Sequence, residues 1–216
     1  MHHEPFYKLM LVTNRQHTPI NDYLAFIEVC ANAGVTSVQL REKNQTPEAL
    51  LEFGEKLKHI LDPLSIPLIV NDDVELAFKL DASGVHLGQT DGNPERARAL
   101  LGPDKIIGVS IDTEDNLLSA NQLPIDYVGI GAIFPTNNKN NVATIWGTQR
   151  LSQLSSQSKH PIIGIGGINE SNAAEVLIAG ACGIAIIGAL HDANDPKLTT
   201  QNLRHIIDNR GKHYVA

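Results

Sequence analysis

Two cationic side chains and one side-chain amide occupy alternate positions between residues 38 and 43. In an extended strand alternate side chains share a face, which places Gln39, Arg41 and Lys43 on one side and Leu40 and Glu42 on the other. The planar guanidinium group of Arg41 suits bidentate binding of a phosphate, and Lys43 would supply a mobile point charge. Taken alone, the segment slightly favours a solvated Arg–Glu–Lys cluster at the end of a strand.

Carboxylates follow two later apolar runs. Asn71 and Asp72 come directly after one run, and Asp91 lies just beyond the next. Mg²⁺ is typically held by one or two carboxylates together with substrate phosphates, so this pair opposite two cations suits a metal-assisted diphosphate site. Asp73 is explained more simply as the N-cap of a helix, and His86 as a hydrogen-bonded histidine that faces the barrel interior.

Further hydrogen-bonding groups follow two more apolar runs. Ser110 ends one of them, where a serine also commonly opens a loop or caps a helix. The polar stretch 136–141 follows the other and is interpreted as an active-site loop. Within it, Lys139 would be a third cation able to bind phosphate.

Glycines late in the chain predict an anion site of a different kind. Gly166 and Gly167 follow one apolar run, and Gly188 follows the next. Glycine lets backbone N–H groups approach a phosphate closely, and α/β barrels often bind a monophosphate at these two loops. A dinucleotide-binding fingerprint is the weaker interpretation, because Asn169 stands where its third glycine is expected. A cationic site and a backbone-amide site together indicate two phosphorylated substrates that are joined with loss of diphosphate.

These groups must be positioned by the apolar, β-branched runs that precede them, and such runs alternate with helical patterns along the chain. The predicted strands are residues 8–13, 37–40, 68–70, 84–87, 106–110, 127–133, 161–165 and 183–187. Their ends follow one another at about 25 residues on average, the spacing of a minimal (β/α)₈ barrel, whereas a doubly wound sheet normally has fewer strands. No linker interrupts the series, so residues 1–216 are predicted to form a single TIM-barrel domain of the α/β class. Its site should lie at the carboxyl ends of the strands.

Helix starts are visible between the predicted strands. Residues 21–33 carry apolar side chains at helical spacing. Thr46 followed by Pro47 is typical of an N-cap and the first residue of a helix. Asn169 is predicted to cap the helix that carries Ala173 and Val176.

Composition excludes several classes of protein. The net charge of −7 argues against a nucleic-acid partner, whereas small phosphorylated substrates need only two or three cations in one pocket. The two cysteines, Cys30 and Cys182, are predicted to be buried structural thiols in a reducing compartment. No apolar run is long enough to span a bilayer, and residues 1–4 lack the basic-then-apolar order of a signal peptide. We therefore expect a cytoplasmic protein with no membrane partner.

The motifs also stand in one order and spacing along the chain. They comprise residues 38–43, 71–73, 84–89 with Asp91, 108–110, 131–136 with Lys139, and 166–169. This set resembles the thiamine-phosphate synthase family over nearly the whole chain, from Leu11 to about Ala189. Each motif is short, but six of them in register are very specific.

The resemblance implies an enzyme that joins 4-amino-5-hydroxymethyl-2-methylpyrimidine diphosphate to 4-methyl-5-(2-phosphoethyl)thiazole, giving thiamine monophosphate and diphosphate. It also implies that the pyrimidine–diphosphate bond ionises first and that the thiazole nitrogen captures the cation. By resemblance, Asp72 and Asp91 hold Mg²⁺, and Arg41, Lys43, Ser110 and Lys139 are the catalytic residues. The implied contacts to the pyrimidine diphosphate are Gln39, Leu40, Arg41, Glu42, Lys43, Asn71, Ser110 and Lys139. The implied contacts to the thiazole phosphate are Thr136, Asn137, Asn138, Gly167, Ile187 and Gly188.

Three residues depart from the pattern that the resemblance implies, with Ala132 in place of proline, Asn138 in place of threonine and Gly188 in place of serine. Two alternatives to the synthase stand beside it. A thiazole tautomerase of the same fold would use a histidine as proton carrier, and we expect that histidine at the position of Ala132. A non-catalytic barrel that binds thiamine precursors would not need the two carboxylates. The sequence is compatible with a homo-oligomer and does not decide the oligomeric state.

Overall fold

The computed structural model describes residues 5–43, 45–137 and 144–209, and its eight parallel strands close into a barrel in chain order. The strands are β1 Leu9–Val12, β2 Ser37–Leu40, β3 Leu68–Asn71, β4 Gly84–Leu87, β5 Ile106–Ile111, β6 Tyr127–Ile130, β7 Ile162–Ile165 and β8 Gly183–Ile186. The helices are α1 Ile20–Ala33, α2 Pro47–Leu61, α3 Val74–Lys79, α4 Pro94–Leu101, α5 Glu114–Ala120, α6 Gly147–Ser155, α7 Ala173–Ile178, α8 Gly188–His191 and α9 Pro196–Asp208. A short 3₁₀ helix, Asp62–Leu64, extends α2. The predicted (β/α)₈ barrel is confirmed.

Apolar side chains fill two layers of the barrel. The interior of the strand cylinder holds the buried side chains of Met10, Val12, Ile69, Tyr127, Ile163 and Ala185. A larger layer lies between the strands and the surrounding helices and includes Leu40, which is 2% exposed. Because successive strand residues face opposite layers, Gln39 turns inward while Leu40 packs outward. The predicted alternation is therefore confirmed for this pair.

Strand register brings the predicted polar residues to one rim of the barrel. Asn71, the last residue of β3, pairs with His86 of β4, and His86 pairs with Gly108 of β5. Ser110 lies two residues further along β5 and pairs with Gly129 of β6. All eight strands are parallel, so their carboxyl ends open at the same rim.

Strand β6 ends three residues earlier than predicted, at Ile130. The residues that follow leave the regular ladder but stay bound to the loop after β7. The N–H of Ile133 donates to the carbonyl of Ile165 at 3.0 Å, and that of Phe134 donates to Gly166 at 3.0 Å. This arrangement holds the loop after β6 directly over the glycine loop after β7.

Helix capping follows the predictions in one place and departs from them in another. Thr46 caps α2 as expected, since its hydroxyl accepts the N–H of Ala49 at 3.2 Å ahead of Pro47. The predicted cap of α7 was wrong, because Asn172 and not Asn169 occupies the N-cap. Asn169 instead caps a preceding turn, where its side chain accepts the N–H of Ser171 at 2.9 Å.

Cys30 and Cys182 are not joined in a disulfide. Cys30 is buried, and burial raises its pKa to about 11, whereas Cys182 is only partly buried. The expectation of two buried thiols therefore holds for Cys30 alone. Among the described helices, none combines the length and apolar character that crossing a membrane would require.

Candidate active site

A cavity of about 280 Å³ opens at the carboxyl ends of the strands. Aliphatic side chains of the barrel interior form its floor, and polar side chains and glycines form its rim. The predicted site residues that line it are Gln39, Arg41, Asn71, Asp72, Asp91, Ser110, Thr136, Gly167, Ile187 and Gly188. Strand ends that are far apart in the chain are thus brought to one cavity, in the position expected for this fold.

Arg41 is the cation that this cavity receives from the segment after β2. Its backbone N–H donates to the hydroxyl of Thr13 at 2.9 Å, which ties the start of the segment to β1. Lys43 does not join the cavity as strand alternation predicted, because β2 ends at Leu40 and alternation no longer governs residue 43. Lys43 is exposed and borders a neighbouring side cavity with Leu40 and Glu42, and Arg41, Asn71 and Asp72 line that side cavity as well as the main one.

Glu42 has a structural partner in the described part of the chain. Its carboxylate accepts the backbone N–H of Arg15 at 3.0 and 3.1 Å. This pairing ties the loop after β1 to the loop after β2. Substrate contact by Leu40, Glu42 and Lys43 stays a prediction.

The carboxylates of Asp72 and Asp91 lie within hydrogen-bonding distance of each other at the rim. The backbone of Asp72 has a φ of 67°, and its N–H donates to the carbonyl of His86 at 2.8 Å. One carboxylate oxygen of Asp91 accepts the N–H of Gly88 at 3.0 Å. Neighbouring Asp73 turns away to cap α3, accepting the N–H of Leu76 at 2.8 Å, as predicted. Loss of solvent around the carboxyl group, followed by the adjacent Asp91, raises the pKa of Asp72 from 3.8 to about 6.

The raised pKa of Asp72 should make its charge destabilising in the metal-free protein. The folded state holds this proton more tightly than the unfolded state, so stability is lost as the pH rises through the window from 3.8 to about 6. We expect Asp72→Asn to raise the free energy of unfolding at pH 7.5 by about 1 kcal/mol, after allowance for solvent screening at this exposed residue. Asparagine also tolerates the left-handed backbone. Thermal melts in EDTA should show that the advantage of the variant disappears towards pH 4; an equal advantage at both pH values would contradict this origin.

A buried polar network forms one side of the cavity floor. His86 Nε2 lies 2.9 Å from the Ser110 hydroxyl, and His86 Nδ1 lies 2.8 Å from the Tyr127 hydroxyl. Tyr127 also hydrogen-bonds the side chain of Gln39, and burial raises the pKa of its phenol. The interpretation of His86 as a satisfied, inward-facing histidine agrees with these contacts. Tyr127 is a lining residue that the sequence analysis did not single out.

The loops after β7 and β8 bring backbone groups to the opposite side of the cavity. Gly167 has a φ of 68°, and a Cβ atom there would lie 2.6 Å from the carbonyl oxygen of Pro135, so both conformation and space require glycine. The side-chain amide of Asn172 donates to the carbonyl of Gly167 at 3.0 Å and holds the loop. Ile187 and Gly188 line the same region. The predicted backbone-amide site therefore has the glycines it needs in one place.

The remaining predicted residues belong to the loop after β6. Thr136 lines the cavity, whereas Asn137 is exposed and is not part of the lining. Asn138 and Lys139 lie outside the described residues. Asp112, which follows Ser110 after β5, is a further lining residue that sequence reasoning passed over.

Known proteins are similar to this chain in both sequence and fold. The family model described as thiamine monophosphate synthase matches residues 9–190. The thiamine-phosphate synthase of Chlamydia caviae is 56% identical over 205 residues, covering 95% of this chain and 97% of the relative. That of Vibrio campbellii is 42% identical over 197 residues, covering 91% and 96%. A solved thiamine phosphate pyrophosphorylase from Pyrococcus furiosus superposes with a TM-score of 0.86 at 33% identity, covering 95% of this chain and 98% of that one. A match of this extent shows that the chain belongs to the thiamine monophosphate synthase family.

Proposed function

We propose that the cavity at the carboxyl ends of the strands is where this chain makes thiamine monophosphate, by Mg²⁺-assisted ionisation of the pyrimidine diphosphate. Membership of the family establishes the transferase activity; the residues and the metal are the proposal. The observation that carries it is the composition of one cavity, which has Arg41 and two carboxylates on one side and the glycine loops on the other. These two sides suit the diphosphate and the monophosphate of the two substrates.

The donor set at Asp72 and Asp91 fits Mg²⁺. Two carboxylates within hydrogen-bonding distance disfavour double ionisation, and a divalent cation between them would remove that repulsion. The described side chains contain no cluster of three or more metal-ligating residues, which suits an ion that takes its other ligands from water and substrate phosphate. Bound there, Mg²⁺ would stabilise the negative charge that develops on the leaving diphosphate.

The residues around this pair would bind and orient the pyrimidine diphosphate. Arg41 would clamp diphosphate oxygens with its bidentate fork, and Asn71 and Ser110 would add hydrogen bonds. The Gln39 amide, fixed by its contact with Tyr127, offers donors and an acceptor to a heteroaromatic ring. Lys43 and Lys139 are proposed as further diphosphate contacts from neighbouring loops.

No protein nucleophile is needed for this reaction. Among the described lining residues there is no cysteine or lysine, and His86 is held on both ring nitrogens. Ionisation and capture by the thiazole nitrogen require charge stabilisation and alignment, which Arg41 and the carboxylate pair would supply. Apolar lining from Ile163, Ile165 and Ile187 would limit access of water to the carbocation.

The thiazole phosphate would occupy the glycine side of the cavity. The N–H groups of Gly167 and Gly188 would bind its phosphate, and Thr136, Asn137 and Asn138 are proposed as further contacts to it. Serine is implied at the position of Gly188 by the family pattern, so this chain would rely on the backbone N–H alone there.

The synthase and the tautomerase are separated by one pair of assays. Ala132 is buried in the cavity lining at 4% exposure and cannot carry a proton. We therefore expect the protein to form thiamine monophosphate from the two precursors with Mg²⁺, and to lose this activity in EDTA. We expect no isomerisation of the thiazole carboxylate phosphate tautomer, followed by ultraviolet absorbance without pyrimidine substrate. Rapid isomerisation without thiamine monophosphate formation would overturn the proposal, and binding of both precursors without turnover would favour a non-catalytic carrier.

We also propose a cytoplasmic location and no nucleic-acid or membrane partner. The net charge of −7 opposes binding to polyanions. Self-association into a homo-oligomer is compatible with this function and would be measured by light scattering.

A further inference from the structure

A chain of hydrogen bonds links the loop after β1 to the loop after β8, behind the cavity wall. The Tyr23 hydroxyl lies 2.6 Å from His191 Nε2 and accepts the backbone N–H of Asn14 at 2.8 Å. On the other side of the imidazole ring, His191 Nδ1 lies 2.8 Å from the carbonyl oxygen of Ile187. Ile187 lines the cavity with Gly188, whereas Tyr23 and His191 do not. The chain of hydrogen bonds therefore reaches the loop after β8 from outside the cavity.

The partners, together with the neutral state of His191, fix the direction of the bonds in this chain. A carbonyl oxygen only accepts, so His191 Nδ1 must carry the proton that is donated to Ile187. Burial lowers the pKa of His191, which keeps the ring neutral and leaves Nε2 as an acceptor. The Tyr23 hydroxyl must then donate to Nε2 while its oxygen accepts the N–H of Asn14. Burial raises the pKa of Tyr23, so this donor stays protonated.

The orientation of one peptide group follows from these bonds. In a trans peptide the C=O and N–H bonds point in opposite directions. His191 does not line the cavity and binds the Ile187 carbonyl, so the N–H of Gly188, on the same peptide, points away from His191. The carbonyl is fixed further by the N–H groups of Leu190 and His191, both at 3.2 Å.

We infer that His191, held in its tautomer by Tyr23, is a positioning residue that aims the Gly188 N–H at the phosphate of the thiazole substrate. The inference rests on the proposed function, in which the glycine loops bind that phosphate. It assigns a role to a histidine that touches neither substrate nor metal. It also explains how Gly188 could bind phosphate without a hydroxyl side chain at that position, since a fixed peptide costs less entropy to organise on binding.

Steady-state kinetics can separate positioning from packing. His191→Phe keeps an aromatic ring against Tyr23, with which the imidazole stacks at 5.7 Å between ring centroids, but removes both nitrogens. We expect its KM for the thiazole phosphate to rise about tenfold, the effect of weakening one charge-assisted hydrogen bond, while its KM for the pyrimidine diphosphate stays unchanged. Tyr23→Phe should raise the same KM about threefold. His191→Asn should restore most of the affinity, because its amide nitrogen can take the place of Nδ1 as donor to Ile187.

Phe53→Leu is the matched control. The Phe53 ring packs on Tyr23 at 6.0 Å between centroids. It takes no part in the series of hydrogen bonds from Asn14 to Ile187. The Phe53→Leu variant should have a lower melting temperature than the wild-type protein but the same ratio of the two KM values. A parallel rise in both KM values for His191→Phe, no rise at all, or an asparagine variant as impaired as the phenylalanine variant would overturn the inference while leaving the synthase intact.

The tautomer provides a test that does not depend on turnover. Nitrogen chemical shifts of ¹⁵N-histidine-labelled protein should show His191 protonated at Nδ1 alone at pH 7.5. A proton on Nε2 would overturn the hydrogen-bond chain even in an active enzyme. A wild-type protein that forms no thiamine monophosphate would instead refute the proposed function, and the positioning role with it.

Discussion

Asp91→Asn should lower kcat for thiamine monophosphate formation by at least about 100-fold, the typical effect of removing one preorganised electrostatic contact to the charge that develops in a transition state. The substitution is conservative in shape. The amide oxygen of the introduced asparagine could still accept the N–H of Gly88, which Asp91 binds at 3.0 Å, so the loop after β4 should keep its conformation. What is lost is one of the two negative charges that would hold Mg²⁺. The measurement is kcat at saturating substrates over a Mg²⁺ titration, in which high Mg²⁺ should restore only part of the rate.

Asp73→Asn is the control for this prediction. It removes a negative charge next to Asp72, yet Asp73 caps α3 and asparagine is an equally good N-cap. Activity and Mg²⁺ dependence should stay close to those of the wild-type protein. Near-normal turnover in Asp91→Asn, with the fold intact by circular dichroism, would remove Asp91 from the metal site.

The arrangement of the barrel could be predicted because each part of it has a short-range signal. Runs such as Ile106–Ile111 are apolar at nearly every position, as expected of strands covered on both faces, and the eight runs recur at a regular interval. Eight such units favour a closed barrel over a doubly wound sheet. The reaction and the enzyme class, predicted through the family resemblance, are confirmed by family membership. That residues 1–216 form one domain stays a prediction.

The site was predictable where strands end in register and less so where loops take over. Asn71 and Ser110 were found because they belong to β3 and β5, where strand geometry fixes which residues reach the rim. Lys43 lies three residues beyond the end of β2, where side-chain alternation has no physical basis, and it borders the side cavity rather than the main one. Tyr127 was missed because an aromatic residue at the start of a strand is usually part of the core. Here it is part of the core and also a hydrogen-bond partner of His86.

The hydrogen-bond chain through His191 had no signal in the sequence at all. Its members, Asn14, Tyr23, His191 and Ile187, come from opposite ends of the chain and meet only because β1 and β8 are neighbours in a closed barrel. Tyr23 and His191 each lie on a helix, α1 and α8, where an aromatic or a histidine normally indicates packing. Only the closed topology makes their pairing possible. Contacts that depend on barrel closure are the part of such a site that pattern reasoning does not reach.

Arg41→Lys should lower kcat/KM for the pyrimidine diphosphate roughly 10- to 100-fold, although the charge is conserved. A guanidinium group can bind two phosphate oxygens at once, whereas an ammonium group is a point charge on a flexible chain. Arg41 is also close enough to Asp72 for its charge to act to lower the pKa of that carboxyl group. The KM for the thiazole phosphate should not change, because that substrate would bind across the cavity at Gly167 and Gly188.

Arg96→Lys, on the exposed face of α4, is the matched control and should leave kcat/KM for both substrates unchanged. Unchanged kinetics in Arg41→Lys would show that Arg41 contributes only its charge. An equal loss of kcat/KM for both substrates would show instead that the substitution changes the shape of the cavity.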